Sequence, residues 1–123
     1  MERLKPDIDP AQVYTTAQAA ARFGIPSDVF RRWALGRVEG GRPYSGSKLL
    51  DALKTYGDLL RQPTGSVDKQ IRAFEAEYHL IMGRGFSYHG AGRTPKTNLT
   101  DEDRLRQVRR RTILARIQID ERG

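Results

Sequence analysis

Residues 16 to 33 read TAQAAARFGIPSDVFRRW, two short helical patterns hinged at Gly24. Thr15 and Gln18 form a T-x-x-Q capping box, in which both side chains satisfy free amides at the start of a first helix. Ala19, Ala20 and Phe23 then share one face at helical spacing. Gly24 takes positive φ without steric cost, so a sharp turn is expected there. Pro26 suits the first turn of a second helix, because the amide it lacks has no partner at that position. Ser27 or Asp28 is expected to cap or favour that positive end. A bulky side chain at position 20 would hold the two helices apart, whereas alanine lets their backbones approach.

The pattern is that of a helix-turn-helix. Val29, Phe30 and Trp33 are expected to face inward, leaving Ser27, Asp28, Arg31 and Arg32 outward, with Leu35 at the end of that outer face. Arginine is the side chain best shaped to donate two bonds to a guanine edge or to grip phosphate. Arg31 and Arg32 are therefore the leading candidates for DNA contact. The competing reading is a solvated arginine pair on a surface helix.

Residues 37 to 56, RVEGGRPYSGSKLLDALKTY, place a glycine-rich basic segment directly before another helix. Gly40-Gly41 is a hairpin turn signal flanked by Arg37, Val38, Arg42 and Tyr44, which predicts a β-hairpin wing. From Val13 to about Leu60 the chain resembles the winged helix-turn-helix of the MerR and excisionase superfamily. Its marks are a short capped helix, a second helix ending in Arg-Trp, a wing and a closing helix. The resemblance implies a recognition helix in a major groove and a wing on the neighbouring backbone or minor groove. By position it assigns Ser27, Asp28, Arg31 and Arg32 to the groove and Arg37 and Arg42 to the wing. It also implies a bacterial or phage source.

The 123 residues suffice for one ordinary domain, or one small domain plus an extension. A net charge of +7 concentrates polyanions around so small a chain, which puts nucleic acid first among partner classes. With no cysteine, disulfides and thiolate zinc sites are excluded. No apolar run reaches membrane-spanning length and no signal peptide pattern opens the chain, so the expected place is the cytoplasm of a bacterial or phage-infected cell.

Residues 1–12, with two prolines and mixed charge, read as an arm that could dock but is not a packed element. The winged domain is expected over 13–62, its third helix presenting Leu49, Leu50, Leu53, Tyr56, Leu59 and Leu60 as a broad apolar face. Gln62-Pro63-Thr64-Gly65 breaks the pattern, and residues 63–123 form a helical extension. A helix capped by Ser66 carries Val67, Ile71, Phe74, Tyr78 and Ile81 at helical spacing and stops near Gly83. Within it Glu75 and His79 stand four apart, a spacing that suits two metal ligands, but with no second histidine nearby and no cysteine a metal site is not expected.

Residues 83–98, GRGFSYHGAGRTPKTN, hold four glycines, the cations Arg84, Arg93 and Lys96, and no acid. Such a segment either lays backbone and cations along phosphates or connects two helices. It lacks a Walker spacing, and His89 has no accompanying carboxylates for phosphodiester hydrolysis, so neither cofactor nor catalysis is expected. From Thr100 a cap and three acids begin a basic helix in which Arg109, Arg110 and Arg111 are further candidate contacts for nucleic acid or a partner. Its last third, with Ile113, Leu114, Ile117 and Ile119, fits either a helix or a strand and suggests exposed apolar positions for a second copy or a partner.

The fold expected is thus mainly α, a winged helix-turn-helix followed by a helical extension. Three functions fit it: a sequence-specific binder of double-stranded DNA, of the regulator or excisionase kind; a phage packaging subunit resembling small terminases; and a protein-interaction or inhibitory module using the basic loop and tail.

Overall fold

The structure, a computed structural model, describes residues 6–83 and 100–122. Five α-helices and one two-stranded antiparallel sheet make up its regular structure, with a 3-10 turn between the third and fourth helices. The chain divides between Gln62 and Pro63 into two compact units.

In the first unit, strand β1 (Val13–Tyr14) leads into helix α1 (Thr16–Phe23). The capping box forms in full: the Gln18 amide donates to Thr15 Oγ1 at 3.2 Å and the Thr15 amide to Gln18 Oε1 at 3.0 Å. Gly24 closes the helix in the left-handed conformation, φ 69° and ψ 32°. There the amides of Gly24 and Ile25 donate back to the carbonyls of Ala21 and Ala20, which satisfies two carbonyls at the helix end. Helix α2 (Ser27–Ala34) follows, with Pro26 at its N-cap. Ser27 is its first residue and no side chain caps it, so the expected cap is absent, while Asp28 lies in the first turn, where its charge favours the positive end.

Phe23, Phe30, Trp33 and Tyr44 bring their rings together at the centre of this unit. Phe30 meets Phe23 edge-on at 5.0 Å and Tyr44 edge-on at 5.2 Å, while Trp33 lies 5.4 Å from Phe23. Strand β2 (Tyr44–Ser45) runs straight into helix α3 (Gly46–Tyr56), and a 3-10 turn over Gly57–Leu60 folds Leu60 inward. Of the third helix's expected apolar face, Leu49 and Leu60 are buried, Leu50, Leu53 and Leu59 half-buried, and Tyr56 is exposed. The carbonyl of Tyr56 nevertheless accepts the Trp33 indole N–H at 3.1 Å, which ties the end of α3 to α2.

The expected hairpin does not form. β2 pairs with β1, Val13 opposite Ser45 and Tyr14 opposite Tyr44. The cause lies at the end of α2, where the amides of Arg37 and Val38 both donate to the Ala34 carbonyl and Val38 is buried. Those residues still wind about the helix end, so they cannot supply the second strand. The arm also packs over its described part: Ile8 is buried, the Asp9 amide donates to Tyr14 Oη at 2.9 Å, and the Gly46 amide to the Gln12 carbonyl at 2.8 Å.

The second unit pairs helix α4 (Val67–Gly83) with helix α5 (Asp101–Arg122). Thr100 Oγ1 accepts the Asp103 amide at 3.2 Å and so caps α5, which stays helical through the stretch that fitted a strand equally well. Val67, Ile71 and Phe74 pack with Leu105 and Val108. Thr112 Oγ1 donates to the Phe74 carbonyl at 3.0 Å, and Arg116 Nε meets Glu77 Oε1 at 3.0 Å. Partner numbers rise together along both helices, so the two run in the same direction. Gly83 and Asp101 therefore stand at opposite ends of the pair, about 25 Å apart at 1.5 Å per residue over the 17 residues of α4. Ile113, Leu114 and Ile117 are buried rather than exposed, which removes the apolar argument for a partner on this helix. No helix among the described residues is long and apolar enough to cross a membrane.

Gly46 is where the arm crosses the start of α3. A Cβ built there would lie 2.0 Å from the Asp9 carbonyl oxygen and 3.0 Å from the Pro10 Cα. Backbone cannot swing aside as a side-chain tip can. Gly46→Ala is therefore expected to destabilise the protein by about 1–3 kcal/mol through forced displacement of the arm. Urea denaturation measures it, and an unchanged midpoint would show that residues 8–12 are not held against the helix.

Candidate nucleic-acid interface

Helix α2 buries Val29, Phe30, Trp33 and Ala34 along one side. At 3.6 residues per turn the opposite side carries Ser27, Asp28, Arg31, Arg32 and, one residue past the helix, Leu35. Ser27, Arg31, Arg32 and Leu35 are exposed and Asp28 is half-buried. All four residues that the sequence assigns to a groove thus share one face. Eight residues make a helix about 12 Å long, comparable to the width of about 12 Å of a B-DNA major groove. No side chain caps the start of α2, and the positive end of a helix favours anions.

Beyond α2 the chain turns through Gly36, Gly40 and Gly41, with φ of 75°, 88° and 65°. No atom lies within 4 Å of a Cβ built at any of the three, so this turn stands open to solvent. Glu39 Oε2 pairs with Lys48 Nζ at 3.2 Å, which balances the one acid in the segment. Arg42 is exposed. It lies two residues from Tyr44, whose ring packs on Phe30, so the aromatic cluster holds this turn beside α2.

Arg37 takes a different place from the one read for it. Its Nη1 donates to the Trp33 carbonyl at 2.9 Å and its guanidinium lies 5.8 Å from the centre of the Tyr56 ring. It closes the end of α2 by satisfying a terminal carbonyl. Spacing alone gives no hint of this, because Tyr56 comes from the third helix.

The candidate cations of the second unit do not form an exposed row. Arg109 is buried, and burial lowers its guanidinium to about 10. Arg110 and Arg111 are half-buried, and the Arg111 guanidinium lies 4.0 Å from the centre of the Tyr78 ring. Arg104 and Arg106, both exposed, face Asp101 and Asp103 at 3.5 and 3.7 Å. Arg84, Arg93 and Lys96 lie outside the described residues. Glu75 and His79 are both exposed on α4. Sequence reasoning overlooked the neutralising partners, since each arginine was weighed without the acid or ring that tertiary packing supplies.

No family model matches this chain, and no curated protein or solved structure was found to be similar to it.

The two arginines flanking the open turn are expected to behave differently. Arg37→Ala removes a donor from the Trp33 carbonyl and a cation from the Tyr56 ring, and should cost about 1 kcal/mol of folding stability. Arg42→Ala should leave stability within about 0.5 kcal/mol, as exposed positions do. Thermal unfolding of both variants tests this, and equal effects would refute the assignment of Arg37 to the helix end.

Proposed function

We propose that this chain is a sequence-specific binder of double-stranded DNA, built on a winged helix-turn-helix of the MerR and excisionase kind and acting as a regulator or excisionase-like factor. The observation that carries the reading is the outer face of α2. Arg31 and Arg32 stand exposed there with Ser27 and Asp28, while the opposite face is locked into an aromatic core.

Each group has a role in this reading. Arg31 and Arg32 donate to guanine edges or to the phosphates that line the groove. Asp28 accepts from a cytosine amino group, and Ser27, at the positive end of the helix, brings a hydroxyl to a phosphate oxygen. Arg42, on the open turn, reaches the neighbouring backbone or minor groove as a wing residue does. The wing is the turn from Gly36 to Pro43, and the strand that follows it is held by β1. The net charge of +7 supports encounter and non-specific binding but no choice of sequence.

Selection of bound fragments from randomised duplex DNA supplies the test. The protein should enrich one motif, and Arg31→Ala with Arg32→Ala should reduce preference for that motif over random duplex by about 10- to 100-fold. Arg42→Ala should weaken binding to both duplexes alike and lower the salt slope by about one. Failure to enrich any motif, or undiminished preference without Arg31 and Arg32, would overturn the reading.

A further inference from the structure

Leu35 is 77% exposed, more than Val13, Tyr56 or Leu80. Its amide donates to the Arg31 carbonyl at 3.1 Å and its φ of −61° is helical. The Cβ position is set before ψ turns the chain away, so this side chain continues the helical rows of α2. Around the helix it falls between Arg31 and Arg32, directly opposite the buried pair Phe30 and Trp33. The row between the two arginines thus carries Asp28 near its start and the apolar Leu35 at its end, with a cation on each side.

A leucine in that position has few possible partners. Its neighbours on the face are Ser27, Asp28, Arg31 and Arg32, all polar or charged, so its own helix offers it no apolar company. The floor of a major groove, in contrast, presents one apolar group among its donors and acceptors, the C5 methyl of thymine. We propose that Leu35 is a specificity-determining residue that packs on a thymine methyl, between the groups held by Arg31 and Arg32. This rests on the DNA-binding reading above and adds a base preference to it.

The test uses the full chain and the duplex selected from the random pool. Each thymine is replaced in turn by deoxyuridine, which removes only the methyl group. Binding should weaken about fourfold at one thymine per bound copy, the effect of one buried methyl. Leu35→Ala should bind the thymine and deoxyuridine duplexes equally and still prefer the selected duplex to random DNA. Being exposed, Leu35 can be replaced without unfolding the protein, and an unchanged thermal midpoint confirms it. If no deoxyuridine substitution weakens wild-type binding while Arg31→Ala removes preference, the role of Leu35 is overturned and the groove reading stands. Should preference survive both in Leu35→Ala and without the two arginines, the groove reading falls and takes Leu35 with it. A drop in solution mass on Leu35→Ala would assign the side chain to a contact between copies, and that also overturns the proposal.

Discussion

The Phe30 ring, held edge-on by Phe23 and by Tyr44, is the contact on which the first unit depends. It joins α1, α2 and β2 at one point, and Trp33 extends the cluster to the end of α3 through its bond to the Tyr56 carbonyl. A helix of eight residues has little stability of its own, since nucleation is costly and short helices rely on packing. The aromatic cluster supplies that packing and sets the rotation of α2 about its axis. Once Phe30 and Trp33 point inward, the outward direction of Arg31, Arg32 and Leu35 follows from helix geometry. The candidate interface is the back of the core.

Much of this was legible because it is local. The capping box needs only Thr15 and Gln18, the turn needs only Gly24, and the two faces of α2 follow from a period of 3.6 residues. Ser66 and Thr100 likewise announce the helices that follow them, and both accept the expected backbone amide. What was not legible depends on residues far apart in the chain. Gly40-Gly41 looks like a hairpin by every local rule, yet strand 44–45 pairs with 13–14 because Val38 stays wrapped on the end of α2. Spacing could not show that Arg37 lies over Tyr56, or that an arm with two prolines packs against Gly46.

The direction of α5 relative to α4 is a further non-local fact with a physical consequence. Antiparallel neighbours are joined by short loops. Here both helices run the same way, so Gly83 and Asp101 stand at opposite ends of the pair. Both readings of residues 83–98, a phosphate-contacting loop and a connector, fall beyond Gly83 outside the described residues.

Charge shows most sharply how position overrides composition. Both units are rich in arginine, but α5 sets its arginines against Asp101, Asp103, Glu77 and the Tyr78 ring, or buries them. Exposed pairs of that kind add little stability, yet they lower the positive field that a phosphate would meet. On α2 Arg31, Arg32 and Leu35 are exposed on a face that points away from the core. A net charge of +7 belongs equally to a uniformly basic tail and to a small patterned face. The sequence preference proposed for the first unit would need a patterned face, with donors and an apolar group at set spacing, and not charge alone.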